Sequence, residues 1–97
     1  NKLMSKRDQY VAKMKAELDE MNAQIDKLAA KSDDAKKELH DKYKQEMADL
    51  RAQSSAMSAK LEELRDAGED SWDNMTAELD KIADAFKHSY NYFKSQF

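Results

Sequence analysis

The sequence predicts an all-α fold: a long helix over about residues 5–66, a turn at about 67–70 and a shorter antiparallel helix over about 71–96. Together these make a coiled-coil hairpin in a single domain, residues 1–97. Three observations carry the expectation. Apolar residues recur at alternating steps of three and four, the seam spacing of paired helices. Charged residues make up 38% of the chain and apolar residues 40%, the mix of long solvated helices. The 97 residues hold one glycine and no proline, so little interrupts the pattern.

The first helix opens at "SKRD", which places Ser5 three residues before Asp8, a capping-box-like pair that can satisfy the first free backbone N–H groups. Val11, Met14, Leu18, Met21, Ile25 and Leu28 then follow heptad spacing, and the stripe continues through Ser32, Ala35 and Leu39. Steps of four lead through Tyr43 to Met47, a stutter that locally unwinds a supercoil. Heptads resume at Leu50, Ser54, Met57, Leu61 and Leu64. The face is never lost, which favours one helix of about 90 Å. Asp33 with Lys37 and Glu38 with Lys42 add pairs worth about 0.2–0.5 kcal/mol each.

Gly68, in "LRDAGEDSWDNM", suits the left-handed position that ends many helices, and Asp70 with Asp73 offers an N-cap and an acidic first turn to the next helix. A glycine inside a helix costs only about 1 kcal/mol, so an unbroken rod competes with this hairpin turn. Beyond it, Trp72, Met75, Leu79, Ile82, Phe86, Tyr90, Phe93 and Phe97 fall on one face. This aromatic seam is expected to press onto Tyr43, Met47, Leu50, Met57, Leu61 and Leu64. Tyr92 points off the seam and is left over for a partner.

Such a hairpin gives residues 5–38 no company within the chain. The stripe of Val11, Met14, Leu18, Met21, Ile25 and Leu28 therefore reads as a self-association seam, and a homo-oligomer, a dimer first, is expected. The alternative is a three-helix bundle with a further turn at "KSDD", residues 31–34, where Ser32 could cap a new helix. Residues 1–16 carry five basic groups and one acidic, and residues 66–84 carry seven acidic and one basic. A bundle lays these side by side. An antiparallel dimer equally brings Lys2, Lys6 and Arg7 near a partner's Asp66 and Asp70. The long helix is preferred because residues 31–34 contain neither Gly nor Pro and keep the register.

Several function classes lose support. No stretch approaches the roughly 20 apolar residues of a membrane span. A net charge of −3, from 17 basic and 20 acidic groups, gives no general attraction to nucleic acid or anionic lipid. The absence of cysteine removes disulfide and thiolate chemistry and leaves the compartment open. The chain opens on Asn1 rather than methionine, in keeping with an upstream leader removed or left out.

His40 and His88 form no Glu-x-x-His pair, and Asp84 one turn before His88 fits a solvated pair better than a metal site. "DAGEDSWD" lacks the alternation of carboxylates and the glycine at position 6 that a calcium loop requires. Met14, Met21, Met47, Met57 and Met75 lie on the stripes, where adaptable packing explains them better than copper(I). The serines have no histidine at supportive spacing, and no glycine-rich phosphate cradle occurs. No catalytic, cofactor-binding or metal-binding residue is assigned. The expectation is a non-enzymatic structural or interaction protein, a self-associating helical scaffold or an accessory subunit of a larger assembly. The alternative is a chaperone-like or lipid-surface binding module that exposes its aromatic C-terminal helix.

"RDQYVAKMKAELDEMNAQIDKL", followed by "KLEELRDAGEDSWDNM" and a final aromatic helix, resembles a group of small bacterial coiled-coil-domain proteins of unknown function. In that group a Leu-Glu-Glu-Leu run leads into a Gly-Asp-Ala-Trp-like turn and a Trp- or Phe-bearing C-terminal helix. This chain departs in reading Gly-Glu-Asp-Ser-Trp and in carrying Asn91-Tyr92-Phe93 near its end. The resemblance implies a helical architecture and a bacterial cytoplasm or periplasm, and it transfers no site residue.

Overall fold

The computed structural model describes residues 5–34 and 36–96. Three helices of similar length follow one another: α1 (Lys6–Asp33), α2 (His40–Arg65) and α3 (Glu69–Lys94), with a short 3-10 turn at Lys37–Leu39 before α2. Ser5 caps α1 as its spacing suggests, its hydroxyl accepting the Asp8 N–H at 3.1 Å.

The helix expected over about 5–66 is therefore two helices. α1 ends at Asp33, Lys36 is extended (φ −58°, ψ 141°), and the chain reverses so that α1 runs antiparallel to α2. Asn22 meets Ser54 and Asp26 approaches Arg51 across this pair. The helix ends within "KSDD", at Asp33 with Asp34 as its C-cap, where the alternative three-helix reading places its turn. Ser32 caps nothing, because its hydroxyl donates to the Ala29 carbonyl of its own helix at 2.9 Å. Asp33 and Lys37, expected one turn apart, lie in different elements.

The energetic reason is on the α1 face. Met14, Leu18, Met21, Ile25 and Leu28 are all buried within one core shared with α2 and α3. Burying five such side chains contributes roughly 7–15 kcal/mol, whereas interrupting a helix forfeits a few backbone hydrogen bonds at about 1 kcal/mol each. A fold within one chain also avoids the translational cost of association.

α2 and α3 form the antiparallel hairpin the sequence indicates. Tyr43 packs on Phe93 with ring centroids 5.3 Å apart, Gln53 reaches Ser89, and Lys60 bridges to Glu78 at 2.6 Å. Tyr43, Met47, Leu50, Met57, Leu61 and Leu64 are all buried. The turn between these helices departs from expectation in detail. Gly68 has φ −76° and ψ 172°, an extended residue at the N-cap of α3, and no described residue has a positive φ. Asp66 closes α2 near ψ 0°, with its N–H and that of Ala67 bonded to Glu63 and Leu64 carbonyls, so the reversal needs no left-handed residue. Asp70 lies in the acidic first turn of α3 rather than at its cap.

Candidate interaction surface

The residues assigned to self-association face inward. Met14, Leu18, Met21, Ile25 and Leu28 are core, and Val11 packs half-buried at its edge. The premise that this seam lacks company within the chain does not hold, because α2 and α3 cover it. The aromatic seam is likewise internal: Phe86 and Phe93 are each 1% exposed, Tyr90 stacks on Phe86 at 6.1 Å, and Trp72 is half-buried. Phe97 lies outside the described residues. Ala83, absent from the expected seam, is buried between Leu79 and Phe86.

At the end of the bundle near the α2–α3 turn, α1 clasps α3. The Arg7 guanidinium lies 4.5 Å over the Trp72 ring and donates to the Ala67 carbonyl, satisfying an acceptor just beyond α2. The Tyr10 ring meets Trp72 edge-on at 5.8 Å, and its hydroxyl donates to Asp80 Oδ1 at 2.9 Å with the Thr76 carbonyl at 3.2 Å. Burial first, then the Asp80 carboxylate, pushes the Tyr10 phenol well above its ordinary pKa. Apolar spacing did not select Arg7 or Tyr10, since Arg7 holds the register position before Val11 as a charged residue and Tyr10 lies beside the stripe. The basic start of α1 and the acidic start of α3 were the available signal.

Because α1 and α3 each run antiparallel to α2, they run in the same direction. Further along they part. A trough of about 310 Å³ lies between them, lined by Glu17, Glu20, Met21, Gln24, Ala83, Phe86, Lys87, Tyr90 and Asn91. Its floor is Met21, Ala83, Phe86 and the Tyr90 ring, with the Lys94 ammonium 5.9 Å over that ring. Two carboxylates line the α1 side and one ammonium the α3 side.

A larger hollow of about 590 Å³ beside Trp72 is bordered by Arg7, Asp8, Lys15 and Arg65, charges of both signs. Tyr92 stands 62% exposed, as its position off the seam predicts, next to a small cleft that includes Glu46 and Asp49. Across the α2–α3 pair, hydrogen bonds to Glu78 and then Glu63 raise the Lys60 pKa above the ordinary lysine value.

Among the described residues no three His, Asp or Glu side chains gather where they could hold a metal ion, and no helix is long and apolar enough to cross a membrane. No family model, curated protein or solved structure matches the chain.

Proposed function

We propose that this chain is a non-enzymatic helical interaction module that docks a helix of a protein partner in the α1–α3 trough, as an accessory subunit of a larger assembly would. The observation that carries the reading is the trough itself: two helices running the same way, an apolar floor, and polar rims. That is the receiving geometry for an amphipathic helix, which would complete a four-helix arrangement. Glu17 and Glu20 on one rim select an occupant with Lys or Arg along that flank, and Lys87 favours an acidic residue on the other. The chaperone-like or lipid-surface alternative needs aromatics at the surface, and Phe86 and Phe93 belong to the core. Kinship with small bacterial coiled-coil-domain proteins is part of the same proposal and is compatible with a short three-helix domain.

Photo-crosslinking tests it. A benzophenone amino acid at Gln24 or Asn91, on the trough, should yield discrete adducts in the native cell, and mass spectrometry should map them to one amphipathic helix with a basic flank. The same probe at Ala52 or Ala59, exposed on α2, should not. Glu17→Arg with Glu20→Arg should abolish the adduct. Adducts of equal yield at all four positions, or adducts indifferent to the charge reversal, would remove the trough as the docking site.

A further inference from the structure

We infer that this protein pairs with a second copy of itself by exchanging α1, the connection after Asp34 straightening so that α1 and α2 become one helix and each α1 docks on its partner's α2 and α3. This goes beyond the trough reading, which uses a different face.

The exchange follows from a conflict between the sequence around the break and the fold that breaks it. Asp34 and Leu39 have right-handed helical backbone, and Lys36 is extended; no described residue here has a positive φ, and residues 31–39 contain no Gly or Pro. Nothing in the covalent chain therefore requires a turn, in contrast to the Gly68 region. Neither Lys36 nor Leu39 caps the following helix with its side chain, and the Leu39 and His40 N–H groups bond only three residues back, to the Lys36 and Lys37 carbonyls, in the tighter 3-10 geometry that a continuous α-helix would relax.

The charges point the same way. Asp33 and Asp34 stand at the C-terminal end of α1, where the helix dipole disfavours anions, and Lys36 and Lys37 precede α2, where it disfavours cations; Lys31, Glu38 and Asp41 work the other way. In a continuous helix both penalties vanish, and Asp33 comes one turn before Lys37 in the favourable order.

Packing permits the change. Between the end of α1 and the start of α2 lies a wedge of about 390 Å³ bordered by Ser32, Asp33, His40 and Lys44, so the closed hinge is not sealed by a dry core. The apolar stripe keeps its heptad register from Leu28 through Ser32 and Ala35 to Leu39, and the stutter at Tyr43 shifts it without losing the face. Two straightened helices would thus cross antiparallel at this point with small or aliphatic side chains facing each other. Every core contact of α1 is reproduced between copies, because α1 meets the same α2 and α3 surfaces. The balance is set only by the hinge, which favours straightening, against the cost of association, which concentration offsets.

A topological test reads this directly. The chain has no cysteine, so Asn22→Cys with Ser54→Cys places a single disulfide across the α1–α2 contact. The variant is unfolded and refolded at about 1 mM, oxidised, and separated by size with light scattering. The inference expects a fraction of twice the 11.2 kDa chain mass that stays covalently dimeric on a non-reducing denaturing gel. A dimer formed through any outer surface would fall to single chains on that gel, which overturns the exchange. Asp33→Asn with Asp34→Asn in the otherwise natural chain removes the anions that oppose the closed hinge and should lower the dimer fraction several-fold, and small-angle scattering of the natural chain's dimer should show a particle about twice as long as the 51 Å monomer. If the natural chain keeps full helicity and is purely monomeric at about 1 mM, or if the Asp33→Asn, Asp34→Asn variant dimerises more than the natural chain, the inference fails, whether or not the cysteine pair folds.

Discussion

The hydroxyl of Tyr10 lies 2.9 Å from Oδ1 of Asp80, a hydrogen bond between side chains 70 positions apart that ties the first helix to the third. It is polar, sits at the rim of the core, and joins two helices that share few other polar contacts. Tyr10→Phe should keep the ring against Trp72 and lose only this bond, reducing stability by about 0.5–1.5 kcal/mol in urea unfolding. The pH dependence supplies a second readout. The folded phenol titrates above its unfolded value of about 10, so at high pH the unfolded chain releases the proton first. The phenol's contribution is complete below about pH 10 and declines as pH rises toward the folded value. Tyr10→Phe should flatten that alkaline loss; an unchanged alkaline limb would mean that Tyr10 is not its source.

Arg7→Ala should cost about 1–2 kcal/mol, because it removes both the guanidinium over Trp72 and the donor to the Ala67 carbonyl. Trp72 is the only tryptophan, so its emission reports the site without ambiguity. A red shift in the folded state is expected. Arg7→Lys should recover part of the stability but not the two-point contact. Wild-type emission in Arg7→Ala would count against the clasp.

Leu18→Asp separates the two meanings of the α1 stripe. On a seam between otherwise stable folded chains, the substitution would dissociate an oligomer and leave each helix pair intact. Here Leu18 is 9% exposed within its own chain's core, so a carboxylate there should unfold the domain, at a cost beyond about 4 kcal/mol. Circular dichroism should show the loss of helix together with any change in mass. Ile25→Ala, at a fully buried position, should cost about 2–5 kcal/mol with the fold retained.

Much of the core was legible because side-chain period is local information. Met14 to Leu28, Tyr43 to Leu64, and Leu79, Phe86 and Phe93 are on the expected stripes and are buried. The reversal after Asp34 was legible only as the alternative turn at "KSDD", since Lys31 to Leu39 are all compatible with helix and what bends the chain is the burial gained by α1 far from the bend. The same limit turned an internal seam into an apparent oligomer seam: periodicity says that a face must be covered, not which chain covers it. Ala83 escaped notice because its methyl adds little to a hydrophobic pattern, although its small size helps form the trough beside Met21 and Phe86. Ser54 marked a weak point in the stripe, and it is the one buried polar residue among those described, donating to Asn22 Oδ1.

Gly68 provides the sharpest check on the α2–α3 turn. If the turn required a left-handed residue, any side chain would be strained there. Its φ of −76° lies in the range open to all residues, and a Cβ built on it meets no atom within 4 Å. As the N-cap of α3 it lacks a side-chain acceptor for the next N–H groups, a role that serine supplies. Gly68→Ser should therefore stabilise the protein, by about 0.5–1 kcal/mol, through the added cap and the smaller entropy of the unfolded chain. Gly68→Ala should fall below the serine variant, since alanine restricts the unfolded chain equally but cannot accept a hydrogen bond. Thermal unfolding of the three proteins gives the order directly, and a serine variant less stable than the glycine parent would show that this turn depends on a conformation that only glycine reaches.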